Sequence, residues 1–299
     1  MRKGPSGFGF GTTAEQVTAG LSLAGKSILI TGAASGLGQE TARVLADRGA
    51  RVLALARTLE KAESACRSLR GSAMPVACDL ADPSSVLRAV EAIKDDDAAL
   101  DAIICNAGIM ALPKLELAFG YEKQFFTNHL GHFLLVTQLL PRLAETGRVV
   151  MVSSDAHRAA PRGGIDFENL SGARGYNSWT AYGQSKIANL LFAKELSRRL
   201  PRPGQSANAV HPGVIMTQLQ RSMTPLLRTM MQLGEPLFLK TIAQGAATQC
   251  YVAVHPSMTE NGEYFADCNV RQPRRAARNA AVAAQLWDVS ERIAAEVRS

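Results

Sequence analysis

The stretch ILITGAASGLGQETARVLADRG, residues 28–49, runs from an apolar strand through Gly32, Gly36 and Gly38 into an amphipathic helix. Glycines at such a turn permit tight backbone geometry. They also let a phosphate reach the N–H groups at the helix N-terminus, where the helix dipole is positive. The spacing is G-x-x-x-G-x-G and departs from the G-x-G-x-x-G fingerprint. The strand before and the helix after supply the context that a dinucleotide site requires.

Outward from this turn, short apolar runs alternate with helical stretches. The runs are SILIT (27–31), RVLALA (51–56), AMPVAC (73–78), LDAIIC (100–105), RVVMVS (148–153) and SANAV (206–210). They are continuously apolar, as strands covered on both faces are. Helices are expected at about 37–48, 58–70, 82–94, 114–144 and 180–200, with Asp82 as N-cap and Pro83 at the first helical position of the third. The pattern predicts an α/β, doubly wound, Rossmann-like fold: a sheet of about seven mainly parallel strands with helices on both faces. Residues 1–24 read as an extension, either laid on the domain or partly disordered. Residues 25–299 read as one domain, with a Met- and Leu-rich segment at 214–240 as a cover for the substrate.

At 299 residues and 46% hydrophobic the chain can bury one large core. No run has the roughly 18–20 apolar residues of a membrane helix, and the N-terminus lacks the apolar core of a signal peptide, so a cytoplasmic protein without a membrane span is expected. The five cysteines (Cys66, Cys78, Cys105, Cys250, Cys268) have no metal-ligand spacing and read as reduced thiols. No metal site is expected. A net charge of +7 raises nucleic acid as a partner, but the cations are dispersed and aromatics make up only 6%. The densest basic cluster, RQPRRAAR (271–278), reads as a solvated loop.

The second strand ends at Ala56 and Arg57. A site selective for NAD(H) usually carries Asp or Glu about 20 residues beyond the glycines, to bond the ribose hydroxyls. A guanidinium there can pair with a 2′-phosphate, so NADP(H) is the expected cofactor, with NAD(H) as the alternative.

In AYGQSK (181–186), Tyr182 and Lys186 stand four residues apart and share a helix face. A nearby ammonium favours the phenolate and lowers a tyrosine pKa from about 10, making an acid/base group. A strand ending in Ser153 and Ser154 brings a hydroxyl to the carboxyl edge of the sheet, where ligands of open α/β sheets bind. The glycine turn, NAG (106–108), Ser-Ser and Tyr-x-x-x-Lys follow one another in that order.

In these motifs the chain resembles the short-chain dehydrogenase/reductase family over roughly residues 24–290. NHLGHFLL, SSDAH and GEYFADCNV, followed by QLWDVSE, are most similar to the retinol-dehydrogenase and WW-domain-oxidoreductase group, in a soluble bacterial-type form without membrane anchor or WW modules. The resemblance implies that Gly32, Ser35, Gly36, Leu37 and Gly38 bind the cofactor phosphates. It implies that Asp79 and Leu80 approach the adenine and that Asn106, Ala107 and Gly108 stand beside the nicotinamide ribose. Asn128, Ser154, Tyr182 and Lys186 match a catalytic tetrad. Pro212, Gly213, Val214 and Thr217 match the segment that holds the nicotinamide amide. Tyr182 and Lys186 would also grip the ribose.

The expected activity is hydride transfer between the nicotinamide and a carbonyl or alcohol, probing a small-molecule substrate that the Met-rich segment suggests is bulky and apolar. Ser154 would hold the substrate oxygen, and Tyr182 would exchange its proton. Asn128 would anchor a water linking Lys186 to solvent. Two other classes compete: an NADP(H)-binding redox sensor without turnover, and a nucleic-acid module suggested by charge alone. His129, His132 and His157 read as packed or locally bonded. Relatives pair through helices corresponding to 114–144 and 180–200, so a homodimer or homotetramer is expected.

Overall fold

The computed structural model describes residues 3–215 and 239–298. Its strands are β1 (Ser27–Thr31), β2 (Arg51–Ala56), β3 (Ala73–Ala77), β4 (Leu100–Cys105), β5 (Leu117–Ala118), β6 (Tyr121–Glu122), β7 (Leu143–Val152), β8 (Ser206–His211), β9 (Tyr264–Ala266) and β10 (Asn269–Val270). Apart from the small hairpin β5–β6, they form one eight-stranded sheet in the order β3-β2-β1-β4-β7-β8-β9-β10. Every neighbouring pair is parallel except β9–β10. The eighth strand was not foreseen; it exists because Asp267 and Cys268 both take positive φ (54° and 61°) and fold the chain back as a tight hairpin.

Alternation along each strand divides the core between the two faces. Leu29, Leu53, Ile103 and Val149 face one layer, made by α4 (Pro83–Lys94), α6 (Gly131–Leu139), α7 (Ser178–Arg199) and α9 (Ala280–Glu296). Ile28, Ile30, Val52, Ile104 and Val150 face the other, made by α1 (Ala14–Val17), α2 (Gly36–Asp47) and α8 (Ile242–Val254). Burial on both sides explains why these strands are uniformly apolar. The strand order reverses between β1 and β4, and loops leaving their carboxyl ends diverge to make the crevice where ligands bind. The N-terminal stretch lies on the domain: Thr13 and Gln16 form a capping box on α1, and Ala14 and Val17 are buried. Arg48 Nε donates to the Thr18 carbonyl at 2.9 Å.

The helix expected over 114–144 is shorter than the sequence suggested. Phe119 and Gly120 have φ of 50° and 82°, which turns the chain into the β5–β6 hairpin instead. Helix starts only where the Glu122 carboxylate accepts the N–H groups of Gln124 and Phe125, giving α5 (Lys123–Phe125). It continues through a π-helical stretch, Phe126–Leu130, into α6 and stops before Pro141.

α6 and α7 were also the expected pairing surface. Here α9 lies across them, with Trp287 stacked on Phe192 and edge-on to Phe133. Nearly every residue of α7 from Tyr182 to Leu196 is buried within the single chain. Within the single chain, α9 thus covers the part of α6 and α7 around Phe133 and Phe192. No helix among the described residues is long and apolar enough to cross a membrane.

Candidate active site

At the end of β1, Gly32 and Gly36 adopt φ of +69° and +56°. A Cβ on Gly38 would collide with the Gly32 carbonyl, whereas one on Gly36 would meet nothing within 4 Å. The turn is thus closed on its inner side and open at the mouth of α2. Ser35 stands at the N-cap with its hydroxyl making no capping bond, which leaves donors directed outward for an anion. This cradle fits the pyrophosphate of a dinucleotide.

The hydroxyl of Thr31 ties the cradle to the next strand. Its oxygen accepts the N–H groups of Asn106 (2.9 Å) and Ala107 (3.0 Å), and the Asn106 side chain donates to the Thr31 carbonyl at 2.9 Å. With both lone pairs used, Thr31 donates its proton to His132 Nε2, 2.9 Å away. The other ring nitrogen of His132 therefore carries the hydrogen and donates to the Asn128 carbonyl at 2.9 Å. Burial pushes His132 down to about 4, so the ring stays neutral.

Asn128 lies in the π-helical stretch, a form that recurs at functional sites. Its side chain is fully engaged: Oδ1 accepts the Ile109 N–H at 2.8 Å, and Nδ2 donates to the Ile109 carbonyl and the Ser185 hydroxyl, both at 2.9 Å. Ser185 in turn donates to the Tyr182 carbonyl at 2.8 Å. A Cβ on Gly108 would sit 3.1 Å from Asn128 Oδ1 and 3.4 Å from Lys186 Nζ, so this loop packs closely against the two side chains.

Ser153 and Ser154 point in different directions. Ser153 is buried and donates to the Lys186 carbonyl at 2.7 Å, fastening β7 to α7. Ser154 accepts the Ala156 N–H at 3.2 Å, and its side chain faces the Tyr182 phenol closely enough to favour the phenolate. Lys186 Nζ donates to the Val152 carbonyl at 3.0 Å and stands 5.6 Å from the centre of the Tyr182 ring. Burial pushes the Tyr182 phenol up to about 12, against a downward pull from Ser154, and pushes Lys186 down to about 8. The lowering expected from the spacing of Tyr182 and Lys186 does not prevail, because both groups lack water to solvate their charged forms.

Following β8, Gly213 takes φ +92°, and a Cβ there would press on the Lys240 side chain. Lys240 N–H donates to the Val214 carbonyl at 2.8 Å, and its buried ammonium pairs with Asp267 at 2.6 Å. Thr217 and most of the 214–240 segment lie outside the described residues.

A family model described as short chain dehydrogenase matches residues 26–226. The chain belongs to the short chain dehydrogenase family. This short chain dehydrogenase is 41% identical over 281 residues to Retinol dehydrogenase 12 of Mus musculus, covering 91% of this chain and 87% of the relative. It is 39% identical over 305 residues to Short-chain dehydrogenase TIC 32 A, chloroplastic, of Brassica napus, covering 97% and 95%. Among solved structures, an uncharacterised protein from Mycobacterium Paratuberculosis superposes with a TM-score of 0.74 at 38% identity, covering 95% of this chain and 97% of that one.

The dehydrogenase thus brings Asn128, Tyr182 and Lys186 together beside Gly108, with Ser154 facing Tyr182 from the end of β7. Asp79 and Leu80 close β3 at the same edge of the sheet; Asp79 Oδ1 accepts the Ala81 N–H at 2.9 Å, and Leu80 is buried. Arg57 is exposed at the end of β2 and makes no ion pair among the described residues. Sequence reasoning missed Thr31, Ser185 and Gly183. The last had a legible signal: a glycine beside Tyr182 inside a helix costs about 1 kcal/mol against alanine and needs a reason. A Cβ there would meet the Ala156 carbonyl and the Ala160 nitrogen at 2.7 Å, so the loop after Ser154 lies backbone against helix at this point.

Proposed function

We propose that this chain is an NADP(H)-dependent oxidoreductase that interconverts a carbonyl and an alcohol on a bulky apolar substrate. The observation that carries it is the meeting of Tyr182 and Ser154 beside the buried Lys186, whose ammonium is held on the Val152 carbonyl at the carboxyl edge of the sheet, next to the glycine cradle. When bound, the nicotinamide supplies or takes the hydride.

The chain's own residues do the rest. Ser154 holds the substrate oxygen with its hydroxyl proton. Tyr182, kept as a phenol by burial, donates its proton to that oxygen in reduction and takes one from it in oxidation. The Lys186 ammonium, fixed on the Val152 carbonyl, stabilises the phenolate left behind. Asn128 spends both side-chain N–H groups on Ile109 and Ser185, so its part is to brace the loop beside Gly108 and the turn of α7 that carries Tyr182.

The guanidinium of Arg57, with no acidic partner among the described residues, supports a 2′-phosphate and hence NADP(H). For the substrate, Trp179 is 46% exposed and stands edge-on to Tyr182, while Val214 is 42% exposed. Trp179 offers apolar surface beside the reacting centre, in keeping with relatives named for retinol. The five unpaired thiols suit a reducing, cytoplasmic setting.

The decisive experiment is Tyr182→Phe, assayed by NADPH oxidation against a panel of lipophilic aldehydes and ketones. Turnover should disappear while NADPH binding stays nearly intact. Retention of more than a small fraction of activity would remove Tyr182 from this role, and a parent protein that binds NADPH tightly but reduces nothing would favour a redox sensor.

A further inference from the structure

Arg274, within the basic RQPRRAAR cluster, is not merely solvated. Its guanidinium donates to the carbonyls of Arg158 (3.2 Å), Ala160 (2.8 Å), Pro161 (3.0 Å) and Arg162 (2.9 Å), so one side chain gathers the loop that follows Ser154. Five N–H donors in a rigid planar fork suit it to such a cluster of carbonyls; a lysine has one point of donation. Its backbone N–H donates at 3.3 Å to His157 Nε2.

This last bond determines the state of the histidine. A backbone N–H can only donate, so Nε2 is bare and the ring hydrogen sits on Nδ1. Nδ1 lies 2.8 Å from the Ser154 carbonyl, which can only accept. His157 is fully buried, packed edge-on against Tyr264, and its pKa is lowered chiefly by burial, so it stays in this neutral tautomer. On its other side the same loop rests on α7 at Gly183, one residue past Tyr182. The chain from Ser154 to Arg162 is therefore gripped from behind by Arg274 and seated in front against the helix that carries the tyrosine.

We propose that Arg274 and His157 are positioning residues that set the placement of Ser154 relative to Tyr182. The inference rests on the assignment of Ser154 as the group that holds the substrate oxygen. Neither side chain touches the glycine cradle, so cofactor binding should not depend on them. Misplacing Ser154 by about 1 Å is enough to cost on the order of a hundredfold in rate.

The test compares two substitutions of His157 in the full chain, using NADPH and a medium-chain alkanal. In His157→Asn the amide nitrogen can take the place of Nδ1 and keep the bond to the Ser154 carbonyl. In His157→Gln the amide sits where Nε2 was and that bond is lost. We expect kcat to fall about tenfold or more in His157→Gln and to be largely retained in His157→Asn, with the NADPH dissociation constant within about twofold of the parent in both. Equal losses, a larger loss in His157→Asn, or a matching loss of NADPH affinity would overturn the proposal. Arg274→Lys, read by amide hydrogen exchange, tests the clamp without turnover: exchange over 155–162 should accelerate while that of β1 and α2 does not, and unchanged exchange would also overturn it. A parent protein that turns over no carbonyl would instead defeat the assignment of function, leaving the exchange measurement to decide the clamp.

Discussion

Arg57 is the residue on which cofactor choice turns. It stands exposed at the end of β2, and no acidic side chain pairs with it among the described residues. Replacing it with alanine should lower kcat/KM with NADPH and leave that with NADH nearly unchanged, reducing the preference by tenfold or more, as the loss of a charge-assisted pair worth about 1.5–3 kcal/mol implies. An unchanged ratio would mean that another side chain reads the phosphate. The buried histidines make a second prediction, for stability. Burial lowers His129 to about 3 and His132 to about 4. The unfolded chain, with ordinary values near 6.5, binds protons that the folded state refuses, so stability is fully present above that value and falls as pH drops towards the folded values. By pH ~5 each ring should have removed about 2 kcal/mol. Denaturant midpoints measured at pH 7 and pH 5 would check this, and equal midpoints would show that the rings are not neutral and buried in solution.

Elements, rather than single residues, bring the site together. β7 delivers Ser154, and α7 delivers Tyr182 and Lys186. Between them the loop after β7 crosses α7 at Gly183, where a Cβ would meet the Ala156 carbonyl and the Ala159–Ala160 peptide. Gly183→Val should force the loop away from the helix, lowering kcat by more than tenfold while the NADPH dissociation constant changes little. Equal turnover in parent and variant would show that the loop relaxes freely. The spacing of Tyr182 and Lys186 was legible because a helix puts residues four apart on one face. The π-helical stretch around Asn128 was not, because nothing local favours it: it arises where the Asn128 side chain is bound by Ile109 from another part of the chain. The hairpin at 117–122 escaped for a related reason, since a phenylalanine at positive φ is an unusual occupant of a tight turn.

At the scale of the whole molecule, α9 bears on how two copies of the chain could pair. A homodimer or tetramer through α6 and α7 would need an exposed apolar face, and Trp287, Leu286 and Ile293 of α9 fill that space. Arg199 lies over the Trp287 ring at 4.6 Å, covering its outer side. We expect the protein to sediment as a monomer at micromolar concentration. A dimer that Trp287→Ala leaves intact would point to a different surface, and a dimer dissolved by that substitution would restore pairing through these helices.

The sequence by itself determined the doubly wound sheet and the glycine turn that follows its first strand, and it pointed to Tyr182 and Lys186 as a pair, because each rests on local periodicity or on short spacings along one element. Tertiary structure alone decided what surrounds them. Whether Tyr182 is easier or harder to ionise depends on burial by distant segments, which here raises the phenol against the pull of Ser154. The part played by Arg274 depends on four carbonyls more than a hundred residues earlier in the chain, and the closed face of α7 depends on the last helix folding back over it. Contacts between residues so far apart leave no periodicity in the sequence, since only the completed sheet brings them within reach.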